Sequence, residues 1–211
     1  METTMFKATC ITTAIAALST SLSFAGGMGP TKAPCTAYEF KAGPYIGASI
    51  GPRIALSGVP LTYIGAQGTL SAGWGHIWKQ RYYLAAEIYG ANSAKLKNYG
   101  RFNQGVTSYT LQPTWDYGVD LMPGLMINDT TLGYARVGFE QTRMILNSAL
   151  GSTGVNADGW RVGGGLQTNV YKNLDLRAEY IFTDYGTLTH YANAGTQIAM
   201  LGNLGLVYKF V

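Results

Sequence analysis

The segment Gly202-Asn203-Leu204-Gly205-Leu206-Val207-Tyr208-Lys209-Phe210, with Val211 beyond it, alternates without a break. Leu204, Leu206, Tyr208 and Phe210 fall on one side at period two, and Asn203, Gly205, Val207 and Lys209 fall on the other. Successive side chains of a strand point to opposite faces, so this is a strand with one apolar face, one face of small and polar residues, and an aromatic ending. A strand lying between lipid and a polar interior requires that pattern. A half-buried strand of a soluble sheet shows it as well. The rest of the chain separates the two readings.

Upstream, from Pro44 onward, apolar and polar residues alternate in segments of about ten residues, the length a tilted strand needs to cross hydrocarbon. Eight such segments are expected. The first, residues 45–53, sends Ile46, Ala48 and Ile50 outward, and the second, 67–78, sends out Leu70, Ala72, Trp74 and Trp78. The third, 82–91, has Tyr82, Leu84, Ala86 and Ile88 outside and Tyr83, Glu87 and Tyr89 inside. The fourth, 109–121 with an extension to 127, puts Trp115, Tyr117, Val119, Leu121, Leu125 and Ile127 outward and Asp116 and Asp120 inward. Pro123-Gly124 lies in that extension, where a bulge or local break is expected because proline cannot donate to the ladder.

The fifth segment runs to about residue 143, with Ala135, Val137 and Phe139 outside and Arg136 and Glu140 inside. The sixth, 160–170, exposes Trp160, Val162, Leu166 and Val170 and turns Arg161 and Gln167 inward. The seventh, 174–183, exposes Leu176, Ala178, Tyr180 and Phe182 over Asp175, Arg177 and Glu179. The connections alternate in length: 79–81, 128–130 and 171–173 are short, whereas 54–66, 92–108, 144–159 and 184–197 are long. Outer-membrane barrels are laid out this way, with short periplasmic turns and longer exterior loops.

Composition agrees with a membrane barrel. Charged residues make up 12% of the 211, aromatics another 12%, and there are 28 glycines. A soluble domain ordinarily carries about twice that charged fraction. Lys7, an apolar run over residues 11–24 and the small-x-small triplet Ser23-Phe24-Ala25 read as a secretory signal peptide over residues 1–25. Residues 26–43 read as a periplasmic lead-in, and residues 44–211 as the barrel. Past the signal no apolar stretch is long enough for a spanning helix. Cys10 leaves with the signal, so Cys35 remains as a lone cysteine without an intrachain partner. The net charge of +4 is spread thinly among Gly, Tyr and Leu, without the concentrated basic face that nucleic-acid binding uses.

The inward parity collects Glu87, Asp116, Asp120, Arg136, Glu140, Arg161, Arg177 and Glu179 inside a barrel just wide enough to be filled by side chains. Buried charges must pair, so an arginine and carboxylate network threaded with Gly73, Gly75, Gly138, Gly163 and Gly165 is expected as a structural plug. An ion path or a catalytic carboxylate pair is the functional alternative. The second long loop holds Lys95, Lys97 and Arg101 near Tyr99 and Phe102, a candidate contact for anionic glycans or lipopolysaccharide phosphates. His190-Tyr191-Ala192-Asn193-Ala194 resembles the His-x-Ser-Asn-Ala pattern of barrel enzymes that deacylate lipid A. Ala192 stands at the nucleophile position, which leaves His190 no hydroxyl to activate. His76 lies alone on an outward parity, and no cluster has metal-ligand spacing.

Asp175-Leu176-Arg177-Ala178-Glu179-Tyr180 with Thr183-Asp184-Tyr185-Gly186 resembles the penultimate strand of the opacity-protein and OmpA-like small barrels. Pro44-Tyr45-Ile46-Gly47-Ala48-Ser49-Ile50-Gly51 is similar to their first strand, and Tyr134-Ala135-Arg136-Val137-Gly138-Phe139 to their fifth. The resemblance implies an outer-membrane surface antigen or adhesin-like protein in contact with lipopolysaccharide and host surface molecules. It also implies that Leu204, Leu206, Tyr208 and Phe210 form an assembly signal read by the barrel-insertion machinery. Val211 after the terminal aromatic departs from that signal, and no peptidoglycan-binding domain is expected after the barrel.

The expectation is an all-β, eight-stranded antiparallel transmembrane barrel, exported to a Gram-negative-type outer membrane, non-enzymatic, with no cofactor, metal or nucleic-acid partner. A narrow channel for small or hydrophobic solutes is one alternative, and a lipid A-modifying enzyme is another.

Overall fold

The computed structural model describes residues 39–57, 62–99, 102–104, 107–148, 151–187 and 196–211. Among the described residues nine strands follow one another: β1 Gly43–Ser57, β2 Thr62–Trp78, β3 Tyr82–Tyr99, β4 Phe102–Gln104, β5 Thr107–Asn128, β6 Thr131–Ser148, β7 Gly151–Tyr171, β8 Leu174–Thr187 and β9 Thr196–Lys209. Eight of them close a ring of antiparallel pairs, with β3 bonded to β5 and β9 returning to β1. The short β4 pairs with β5 alone, in the second long connection. No helix among the described residues is long and apolar enough to cross a membrane.

Register sets the barrel's shape. Stepping from partner to partner once around the ring leads from Ile46 through Ala72, Ile88, Val119, Phe139, Trp160, Asp184 and Ile198 back to β1 at Leu56, ten residues further on. With a rise of about 3.3 Å per residue and about 4.8 Å between strands, that stagger tilts eight strands by roughly 40° from the barrel axis.

The period-two pattern decides which side of the wall is which. Leu70 is 70% and Phe139 71% exposed, while Asp120 and Met122 are fully buried. Leu204, Leu206, Tyr208 and Phe210 all lie on the outer surface, and their strand pairs with β1 through Ile46↔Tyr208, Ala48↔Leu206 and Ile50↔Leu204. Pairing closes the edge that an open sheet would expose, and a strand in lipid requires this.

The short turns show their chemistry locally. Trp78 O accepts the Arg81 amide, and both central residues, Lys79 and Gln80, have positive φ (51° and 56°), the arrangement whose twist matches that of the flanking strands. Asn128 Oδ1 accepts from the Thr130 amide and hydroxyl at 2.9 Å each, an Asx turn. At the third turn Asn169 Nδ2 donates to Lys172 O.

Strands run past the lengths that alternation marks. The β3 to β5 connection, expected over 92–108, is mostly strand, and β7 begins at Gly151 instead of near 160. Residues 151–154 are exposed on both faces, so no burial pattern marks them as strand. The cross-strand pairs Ser148↔Gly151 through Ile145↔Gly154 hold them. Near Pro123 the β5–β6 pairing lapses between Leu121↔Val137 and Gly124↔Tyr134 without a change of register, a local break and not a bulge. Register shifts occur on either side of it: one between Met126↔Leu132 and Asn128↔Thr131, next to the turn, and one at Pro113, where Thr114 is the extra residue between the pairs Pro113↔Met144 and Trp115↔Arg143. The extra residue Thr114 rephases the strand so that Trp115 faces outward and Asp116 inward.

Candidate functional site

The lumen is layered. At the end that carries the short turns, Tyr45, Tyr83, Ala85, Met122, Leu132, Tyr134 and Val207 form an apolar base with Ile77 and Met126 packed against it. Phe40, from the residues preceding β1, completes that base at 4% exposure. Its amide donates to Asp129 O at 2.8 Å, and its ring meets Tyr83 edge-on with centroids 5.9 Å apart. Lys209 Nζ lies 3.0 Å from the Phe40 centroid, donates to Lys41 O and pairs with Asp175 at 2.8 Å. Phe40 and Lys41 therefore stop the end of the lumen that carries the short turns. Phe40→Ala should lower the unfolding free energy in detergent by about 3 kcal/mol, as deletion of a buried aromatic does, measured by urea titration. A loss under about 1 kcal/mol would show that the ring is not packed there.

Above the base is the ionic layer. Arg136 bridges three carboxylates: Glu87 at 2.8 Å, Asp120 at 2.6 Å and Glu179 at 3.0 Å. Arg177 pairs with Glu87 at 2.7 Å, donates from Nε to Gln167 and lies between the rings of Tyr45 and Tyr134. Arg161 pairs with Glu140 at 3.0 Å and lies over the Tyr89 ring at 4.1 Å. Tyrosine hydroxyls supply further donors to the carboxylates: Tyr89 to Glu140 and Tyr134 to Glu179, each at 2.8 Å. Small residues make the space. A Cβ on Gly138 would collide with the Asp120 carboxylate, and one on Gly73 or Gly75 would enter the Tyr45 or Tyr83 ring.

Nearer the long connections a third group forms around Arg53. Its Nη1 donates to Asp116 and, at 3.0 Å, to Ser93; its Nη2 donates to Tyr185 at 2.8 Å, and Tyr185 in turn donates to Glu140. Gln67 adds a bond to Asp116 at 3.1 Å. Through the layers, Arg53, Arg136, Arg161, Arg177 and Lys209 face Glu87, Asp116, Asp120, Glu140, Asp175 and Glu179, so the lumen is close to neutral. The void between the ionic layer and the small side chains of β1, β2 and β9 measures about 10 Å³, space for a single water. A steady conductance in planar bilayers would contradict this filled lumen.

All eight charged residues that parity collects lie in this lumen. Sequence reasoning left three others out of the network: Arg53, Asp175 and Lys209. Arg53 is 1% exposed and shares the inward parity of Tyr45, Gly47, Ser49 and Gly51, a signal that was present. Asp175 and Lys209 also had inward parity, but their mutual pairing joins β8 to β9 and has no local signature. His76 lies on the outer surface between Trp74, stacked at 6.2 Å, and Trp78, edge-on at 4.7 Å. Lys95 and Lys97 belong to β3, but their side chains, together with Arg101, Cys35 and the segment 190–194, lie outside the described residues. Among the described residues no group of His, Cys, Asp and Glu could hold a metal ion.

A closed ring of eight antiparallel strands, apolar outside, filled inside, with short turns at one end and longer connections at the other, is a small outer-membrane β-barrel. The sequence matches the model of the outer membrane protein beta-barrel domain over residues 14–210, and the chain belongs to that family. The opacity and OmpA-like resemblance therefore holds for family and fold.

Among solved structures, Neisserial surface protein A is 17% identical, with a TM-score of 0.57, over 80% of this chain and 98% of its own. Ail, the attachment invasion locus protein of Yersinia pestis, is 15% identical, with a TM-score of 0.54, over 81% of this chain and 100% of its own. A complex of Ail with the heparin analogue sucrose octasulfate also matches, at 15% identity and a TM-score of 0.50, with 81% of this chain and 100% of that one covered. At these identities the likeness shows the fold alone. No curated protein matches the sequence significantly.

Proposed function

We propose that the protein is a non-enzymatic surface barrel whose exterior hairpin stems attach to anionic glycans or other host surface molecules. The observation that carries this reading is the filled lumen combined with strands that continue beyond the apolar belt. A barrel whose interior is occupied by paired charges has its free surface at its ends, and the stems of β6–β7 and β3–β5 extend that surface away from the lipid. The likeness to Ail, a protein crystallised with a heparin analogue, supports a sulfated glycan as the first ligand to test. Lys95, Lys97 and Arg101 are the candidate contacts, since cations close together along the chain attract sulfate groups.

In this reading residues 1–25 direct export and are removed, and the insertion machinery reads the terminal strand. N-terminal sequencing of protein extracted from outer membranes should begin at Gly26, and the band should shift on boiling. The ligand test uses the full barrel in lipid nanodiscs passed over immobilised heparin. Retention should weaken with salt, because exposed charges are screened, and should fall sharply in the Lys95→Gln/Lys97→Gln/Arg101→Gln variant. Absence of retention, or retention indifferent to that variant, would count against this ligand and this site.

A further inference from the structure

The outer wall is not uniform where it meets the periplasmic leaflet. Between β3, β5 and β6 a trough of about 640 Å³ is lined by Trp78, Tyr82, Pro123, Leu125, Ile127 and Ala135. Its origin is local. The β5–β6 ladder lapses beside Pro123, and the outward positions of β6 opposite it are the small Gly133 and Ala135, so large flanking side chains stand over a low floor. Trp78 and Tyr82, exposed on the rim of this trough, are amphipathic rings of the kind that settle at headgroup level.

The turn that joins these two aromatics is Lys79-Gln80-Arg81, exposed throughout. None of the ion pairs among the described residues involves Lys79 or Arg81. The other cations of this rim are engaged: Lys41 Nζ donates to Asn173 at 2.9 Å, and Lys172 lies over the Tyr171 ring at 5.3 Å. Asp129 stands on the neighbouring short turn, where its backbone carbonyl accepts the Phe40 amide, and it too takes part in none of the ion pairs among the described residues. The turn is held in place, because Arg81 O accepts from the Met126 amide at 2.8 Å. Two cations without ionic partners thus stand at a fixed height at the mouth of an apolar trough.

We infer that this edge is a binding site for one anionic phospholipid of the periplasmic leaflet, its phosphate between Lys79 and Arg81 and one acyl chain along the Pro123 trough. A zwitterionic lipid would fill the trough equally well but would not answer the charge of the turn. Each interfacial cation favours an anionic lipid by about fivefold.

The test uses the full barrel in bilayers of phosphatidylethanolamine with a minority of phosphatidylglycerol, released and read by native mass spectrometry. Wild type should retain phosphatidylglycerol at least about fivefold above its share of the bilayer. Lys79→Gln/Arg81→Gln should bring retention down to that share while the heat-modifiable band persists. Ala135→Phe, which fills the trough and leaves the cations, should lower retention of both lipids. A wild-type ratio equal to the bilayer's overturns the inference without reference to any variant. So does an enrichment that survives the double substitution, or displacement of the lipid by lipopolysaccharide alone.

Discussion

Replacing Arg136 by methionine should destabilise the barrel more than any other single change in the lumen. The guanidinium contacts Glu87, Asp120 and Glu179, which come from three different strands. Removing it leaves carboxylates buried against one another with fewer compensating charges, and breaking a buried pair in this way costs about 3–5 kcal/mol. The loss would be read from urea unfolding of the folded protein in detergent, with the heat-modifiable band as the folding control. Arg136→Lys should recover only part of it, because one ammonium lacks the planar fork that reaches three acceptors. In an Arg136→Met background the further change Glu179→Gln should cost less than it does in wild type, since it removes an uncompensated charge. An Arg136→Met barrel as stable as wild type would mean that the interior reorganises around water and that the ionic layer contributes no net stability.

The second large effect is expected on the other side of the wall. Leu121 is the middle of the seven outward positions of β5 from Trp115 to Ile127, which places it near the bilayer midplane. Leu121→Arg should cost about 2–4 kcal/mol, and Ile127→Arg, at the periplasmic edge, about 0–1 kcal/mol. The pair tests orientation and depth together. Equal costs at the two sites, measured by the same urea titration in lipid vesicles, would contradict the height assigned to Leu121 in the belt.

Much of this architecture was legible because its rules are short-ranged. Period two is a property of the strand backbone, so the outward faces of β1, β3 and β9 follow from Ile46, Ile88 and Leu204 and their neighbours at every second residue. The tight turns carry their own donors and acceptors, as at Asn128. The ends of the long strands were not legible, because beyond the lipid a strand such as Gly151–Tyr171 has no apolar face to advertise it and is held by ladder bonds to its partner. The Thr114 bulge was missed, although Pro113 could have signalled it.

Taken alone, the sequence determined that there is a barrel, which residues face lipid, and that the charges Glu87, Asp116, Asp120, Arg136, Glu140, Arg161, Arg177 and Glu179 face inward. Only the tertiary structure decided who meets whom. The ten-residue stagger around the ring brings Arg53 of β1 to Asp116 of β5, Arg177 of β8 to Glu87 of β3, and Phe40 to the turn at Asp129. Those partners are separated by tens of residues in the chain, and their meeting depends on the tilt and closure of the whole sheet, a collective quantity that no local alternation carries.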